Sequence, residues 1–189
     1  MNKPINVALY GQNGHQVQRM LVNHPHARLT ATAAITTDEL AKAGHDPAAI
    51  YKVDTLEQLL QLKDVDVVSL CSPVRGEQAK HAIQCLLAGK HVYAEKPCAL
   101  SESELDAILA AAKSSGRVFH EMAGTVLSSR YYLAVRQAVL EGLIGTVVQV
   151  NAEKSYPWSE NRPKDETTDG GLIRWVAVHA FRMVEHTTG

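Results

Sequence analysis

The chain has 189 residues, 46% of them hydrophobic, with 19 Lys and Arg against 20 Asp and Glu. That length holds one domain of the usual size, roughly 100 to 150 residues, and part of a second. The balanced charge, with no basic block interleaved with aromatics, argues against a nucleic-acid partner, and no apolar run approaches the roughly 20 residues that cross a bilayer. Cys71, Cys85 and Cys98 are widely spaced and form no CxxC pair, and the histidines contain no HExxH. A cytoplasmic protein without a signal peptide and without a metal site is expected.

The elements follow in chain order. INVALY (5–10) reads as a buried strand, GQNGHQ as a glycine turn, and VQRMLVNH (17–24) as a helix, since Val17, Met20 and Leu21 recur at helical spacing. ARLTATAAI (27–35) is a second strand, followed by a polar link containing Gly44 and Pro47. TLEQLLQL (55–62) is a short helix capped by Thr55, and DVVSLC (66–71) is a strand that breaks at Ser72 and Pro73. A helix over 77–89 leads to the strand HVYAE. A second helix over 101–116 opens on a capping box, Ser101 answered by Glu104, before the strand VFHEMA (118–123). Strands alternating with helices through about 120 residues imply right-handed βαβ units, hence an α/β fold with a Rossmann-like, doubly wound parallel sheet.

After residue 124 the pattern changes. A helix is expected over 128–142, a strand with one wetter face over 145–155, a polar loop from Tyr156 to Asp169, and a helix carrying Leu172, Val176, Phe181 and Val184. The expected division is residues 1–124 for the doubly wound domain and 125–189 for the incomplete start of an α+β domain. One strand and one helix do not close a second core, so the strand near Val147 to Asn151 is expected to be covered by a neighbouring chain in a homo-oligomer.

The turn after the first strand is where a dinucleotide's pyrophosphate would dock, because backbone N–H groups and a helix N-terminus converge there. The GxGxxG pattern is present only in part: Gly11 is the first glycine, Asn13 holds the second place with Gly14 after it, and Gln16 holds the third. Asn13 is expected to keep the turn by tolerating unusual backbone angles, and Gln16 to add bulk where helix meets strand. Thr36 and Thr37, at the end of the second strand, are hydroxyls able to accommodate a ribose, with Asp38 just beyond. A tight turn that binds no nucleotide stands beside this reading. The charges of Glu95 and Lys96 at a strand's carboxyl end fit a ligand-binding rim, and equally a solvated loop punctuated by Pro97.

The stretches VALYGQNGH, DVDVVSLCSP, AIQCLLAGKHVYAEKPCAL and GGLIRWVAVHAFRMVEH resemble the glucose-fructose oxidoreductase and inositol dehydrogenase family, Gfo/Idh/MocA, across essentially the whole chain. AGKHVYAEKP is the most specific of them. The resemblance implies NAD(P)-dependent hydride transfer with a sugar, polyol or related secondary alcohol. Gly11, Asn13, Gly14, Thr36, Thr37, Ser72, Pro73, Glu95 and Lys96 then lie along NAD or NADP, and Lys96 and His179 are the catalytic pair. A lysine near the substrate hydroxyl favours developing alkoxide charge, and an imidazole takes or relays the proton. Without the resemblance, His179 reads as a histidine satisfied inside an apolar helix.

The departures are specific. Trp175 stands where the family's DxxxH motif has Asp, and Arg182 where many relatives have Asp three residues after the histidine. SPVRGEQ offers Arg75, expected at the surface, and Gln78 in place of the usual histidine. Relatives continue with further strands, so the resemblance implies a chain truncated in its C-terminal domain. A catalytically inactive nucleotide-binding protein and a self-associating fragment therefore stand beside the oxidoreductase reading.

Overall fold

The computed structural model describes residues 3–123, 130–157, 159–160 and 166–189. Six strands form one sheet in the order β3-β2-β1-β4-β5-β6: β1 Ile5–Tyr10, β2 Ala27–Ala33, β3 Tyr51–Val53, β4 Val67–Leu70, β5 His91–Ala94 and β6 Phe119–Glu121. Every pairing is parallel. The chain starts in the middle, winds outward to β3, then returns to β4 and winds the other way. The point of reversal therefore lies between β1 and β4, where neighbouring loops leave in opposite directions and open a crevice above the strand ends. This is the Rossmann-like, doubly wound sheet that the alternating pattern implies.

One face is covered by α2 (Leu56–Leu60), α3 (Gln78–Leu87) and α4 (Glu102–Ser115). Leu56, Leu59, Ala82, Cys85, Leu86 and Ile108 pack there on Ala8, Val68, Leu70 and Ala94. The alanines let helix backbones come close, and each fully buried leucine contributes about 1.5–3 kcal/mol over exposure. Thr55 and Gln58 cap α2 reciprocally as a complete capping box. At α4, Ser101 accepts from the Glu104 N–H, but the Glu104 carboxylate takes the Leu100 N–H at 2.6 Å instead of completing the expected box. The opposite face packs Val7, Leu9, Leu40 and Ile50.

Two expected elements differ. The helix over 17–24 is a single 3-10 turn, Gln18–Leu21. Asn23 stands at φ +53 and His24 precedes Pro25, a position that disfavours helical angles, so only one turn fits before β2 begins. The strand over 145–155 is also absent: residues 147–157 carry no regular structure, and Val148 is 93% exposed. A strand exists through its ladder, and no described backbone runs beside this one. Conversely, the polar link contains α1 (Thr37–Lys42), with Thr36 accepting from the Glu39 N–H, and the edge strand β3.

Beyond the sheet lie α5 (Arg130–Leu140), the short α6 (Glu166–Asp169), a π turn over Ile173–Ala177, and α7 (Val178–Thr188), which continues directly from that turn. Arg136 of α5 donates to the His186 carbonyl of α7 at 2.9 Å. Arg182 of α7 pairs with Glu121 at the end of β6, and Gly170 packs on Pro97. The segment bearing His179 is thereby docked on the carboxyl edge of the sheet.

Candidate active site

The glycine turn leaves β1 with Gly11 at φ +70, where a Cβ would run into the Cys71 carbonyl, so close approach to the end of β4 requires glycine. Gly14 takes the second left-handed position, and a Cβ there would collide with the Glu95 side chain. Asn13 is not in left-handed backbone, contrary to expectation. It holds the turn through its side chain, whose Nδ2 donates to the Pro73 carbonyl at 3.2 Å and the Thr168 carbonyl at 2.8 Å. Gln16 does add bulk at the junction, in a definite way. Its amide nitrogen donates to the Tyr10, Gly11 and Ser69 carbonyls at 3.2, 2.8 and 3.1 Å, and its oxygen accepts from the Ser69 hydroxyl at 2.7 Å. Carbonyls at the β1–β4 switch point are thus satisfied by a side chain.

Glu95 and Lys96 are not solvated loop residues. Glu95 is completely buried and Lys96 is 3% exposed. Glu95 Oε2 accepts the His15 backbone N–H and lies 2.8 Å from His15 Nδ1, while Oε1 accepts the Lys96 N–H at 2.8 Å. Burial alone would push this carboxyl up, but the His15 ring, the His15 N–H and the Lys96 N–H together hold it below its ordinary value. The His15 imidazole moves upward, because its bond to Glu95 outweighs burial and the repulsion of Lys96 and Arg75.

Lys96 Nζ donates to the Trp175 carbonyl at 2.6 Å and stands 4.6 Å from the centre of the Trp175 ring. The residue that replaces the family's aspartate therefore holds the lysine by its carbonyl and its π face, with the carbonyl presented by the π turn. His179 follows one turn later. It is half-buried, and its Nδ1 is buried with no hydrogen-bond partner. Burial lowers its pKa first, and Lys96, Lys154 and His15 lower it further. Arg182 plays no part in this shift, since it turns to Glu121 at 2.9 Å.

Arg75 is buried, not at the surface: it is 1% exposed and donates to Gln78 Oε1 at 2.5 Å and to the Asn13 carbonyl. Gln78, also fully buried, accepts the Ser72 N–H at 3.0 Å and donates to the Glu95 carbonyl and, at 3.2 Å, to the Pro97 carbonyl. One glutamine amide therefore joins the loop after β4 to the segment after β5. The Ser72 hydroxyl lies 2.9 Å from His81 Nδ1.

Two adjoining cavities occupy this edge. One of about 280 Å³ is lined by Gly14, His15, Lys96, Tyr156, Trp175 and Val176. Another of about 370 Å³ shares His15 and Lys96 and adds Glu95, Tyr132, Lys154 and His179 among its walls. The structure thus brings Gly14, Glu95, Lys96 and His179 together. Thr36 and Thr37 line neither cavity; they are exposed at the end of β2, with Thr36 engaged as the cap of α1. Ser72 is buried and Pro73 exposed on the rim, against Asn13. Gly11 and Gly14 let the turn pack closely on the end of β4 and on Glu95, and the exposed Thr36 and Thr37 stand at the end of β2. His15, Lys154 and Tyr156 escaped sequence reasoning. His15 directly follows Gly14, but nothing local reveals Glu95 as its partner, and Lys154 sits in the expected strand that does not form.

Comparison with known proteins agrees with this fold. A family model described as an oxidoreductase family with an NAD-binding Rossmann fold, Gfo/Idh/MocA, matches residues 5–122. The chain is 32% identical over 170 residues to dTDP-3,4-didehydro-2,6-dideoxy-alpha-D-glucose 3-reductase of Streptomyces violaceoruber, covering 87% of this chain and 48% of that one. It is 28% identical over 159 residues to inositol 2-dehydrogenase of Gluconacetobacter diazotrophicus, covering 82% and 47%. Among solved structures, aldose-aldose oxidoreductase from Caulobacter crescentus superimposes with a TM-score of 0.79 at 21% identity, covering 99% of this chain and 58% of that one, a likeness of fold. The chain spans about half the length of the curated relatives it matches.

Proposed function

The chain belongs to the Gfo/Idh/MocA oxidoreductase family, and on that premise we propose that it serves an NAD(P)-dependent oxidoreductase acting on a sugar, polyol or related secondary alcohol. The observation that carries the reading is the convergence of Lys96 and His179 on one cavity, which adjoins the one lined by Gly14 and Lys96. A nicotinamide bound at this edge supplies the hydride acceptor or donor. The protein's part is to manage charge and protons. Lys96, fixed by the Trp175 carbonyl and ring, sets a cation where an alkoxide-like oxygen develops. His179 is kept neutral by its burial and its cationic neighbours, so it accepts a proton at neutral pH.

In this reading residues 1–124 are the nucleotide domain and 125–189 belong to an α+β substrate domain, with the boundary just after Ala123, the last described residue following β6. Gly11, Asn13, Gly14, Thr36, Thr37, Ser72, Pro73, Glu95 and Lys96 form the cofactor side. The exposed apolar residues Tyr131, Leu133, Val135 and Leu140 of α5 support a homo-oligomer. No helix among the described residues is long and apolar enough to cross a membrane; a cytoplasmic protein without nucleic-acid partners is the matching proposal. Titration of the purified chain with NADH and NADPH, followed by nicotinamide fluorescence, tests the reading. Saturable binding supports it and names the preferred cofactor, whereas absence of binding in a folded sample leaves a family member that does not turn over.

A further inference from the structure

The glycine turn already holds an anion, and that anion belongs to the chain itself. A Cβ on Gly14 would run into Oε2, Cγ and Cδ of Glu95, so the concavity left by this bare Cα is filled by the carboxylate. Glu95 Oε2 accepts the His15 N–H and lies 2.8 Å from the His15 ring Nδ1. The neighbouring donors are also used within the chain: the Asn13 N–H donates to the Cys71 carbonyl at 3.3 Å and the Gly14 N–H to the Gln12 carbonyl at 3.0 Å. Asn13 Nδ2 is turned to the Pro73 and Thr168 carbonyls. Only the 3-10 turn Gln18–Leu21 follows, too short to add the positive end of a helix.

In doubly wound sheets that bind dinucleotides, glycines after the first strand let backbone N–H groups come close to the pyrophosphate. Gly14 meets that requirement, and the donor beside it is the His15 N–H. Carboxylate and phosphate oxygens are both charged acceptors, so they seek the same N–H, and two anions in one concavity repel each other. We infer that Glu95 is an internal occupant of the glycine turn, an autoinhibitory carboxylate that the diphosphate of NAD(P) must displace from the His15 N–H on binding. Glu95 thereby sets cofactor affinity. The His15 ring and N–H and the Lys96 N–H retain it in the turn, and its departure frees the donor beside Gly14. That NAD(P) supplies the diphosphate rests on the oxidoreductase reading; that Glu95 stands in its way rests on the contacts at Gly14 and His15.

Glu95→Gln keeps the shape of the side chain and removes its charge. The full chain and this variant are titrated with NADH, ADP and adenosine at fixed pH and ionic strength, by nicotinamide fluorescence for NADH and by calorimetry for the other two. NADH and ADP should bind the variant about tenfold more tightly than wild type, the size of one charge-assisted contact regained, with adenosine unchanged. Equal or weaker binding of both diphosphates by the folded variant, an equal gain for adenosine, or no binding of ADP to either protein overturns the inference. NMR of the Glu95 carboxyl carbon in the wild-type chain is a second measure, independent of how the variant folds. Burial would raise its midpoint and the contacts with His15 hold it low. Saturating ADP should raise it, because the displaced carboxylate loses those donors and gains a negative neighbour; an unmoved midpoint overturns the inference. A gain for ADP without any binding of NADH removes only the oxidoreductase reading, and NADH binding equal in both proteins removes only the autoinhibition.

Discussion

The buried carboxylate of Glu95 holds His15 twice, accepting its backbone N–H and lying 2.8 Å from its ring Nδ1, so the segment after β5 is tied directly to the glycine turn after β1. Gly14 leaves room for that side chain, since a Cβ there would collide with it.

This contact has a pH signature. The Glu95 pKa is depressed, so its contribution is present above the unfolded carboxyl value, about 4.3, and is lost as pH falls through its lower folded value. The His15 pKa is raised, so its contribution is complete below the unfolded value of about 6.5 and is lost as pH rises through the folded one. The His15 side chain is 73% exposed, which screens the pair and limits it to the range of surface ion pairs, about 0–1 kcal/mol. Urea unfolding of wild type and His15→Ala should therefore differ most between about pH 5 and 6 and converge above pH 8; a difference that does not change with pH would show that the ring carries none of it.

Lys96→Met removes the cation from the proposed reaction centre while keeping the stem that packs by Trp175. Turnover of an identified substrate should fall by about 10²–10⁴ with NADH affinity changed less than about threefold. Retained turnover would take Lys96 out of the chemistry, and a parallel loss of NADH binding would show that its main part is on the cofactor side.

For His179, burial, Lys96 and Lys154 all disfavour the imidazolium, so the ring should titrate below its ordinary value of about 6.5. NMR of the imidazole carbons checks this without any substrate. Lys154→Met should raise the midpoint, and Trp175→Asp, which places a carboxylate one turn before the ring, should raise it further. An unchanged midpoint in Lys154→Met would leave burial, Lys96 and His15 as the causes.

Gln78→Ala would strip partners from the Ser72 N–H, the Glu95 and Pro97 carbonyls and the Arg75 guanidinium at once. With the site fully buried, a loss of about 2–3 kcal/mol in unfolding free energy is expected. A loss below about 0.5 kcal/mol in urea denaturation would mean that these groups find water or other partners.

Much of the architecture was legible along the chain. The βα alternation, the cap at Thr55, the breaks at Ser72 and Pro73 and the charged end of β5 are local signals, because hydrophobic period, capping side chains and proline act over a few residues. Where the reading went astray, a partner distant in sequence decided. The helix over 17–24 shrank to one turn between the hydrogen bonds of Gln16 and the turn at Asn23 to Pro25. The strand over 145–155 lacked a neighbour, and apolar alternation without a ladder does not make a strand. Arg75 looked like a surface cation because, apart from Gln78 three residues on, its partners are distant: the Asn13 carbonyl and α6, which packs on the Arg75–Glu77 turn.

By itself the sequence determined the strand order's raw material, the glycine positions and the identities of Lys96 and His179, since these follow from residue type and spacing. Only the tertiary structure decided what surrounds them: that Trp175 cradles Lys96, that Arg182 turns away from His179, and that Glu95 is already engaged by His15. Charge balance in a buried site depends on distances between groups 60 to 80 residues apart in the chain, and those distances exist only once the sheet has brought the ends of β1, β5 and β6 to one edge.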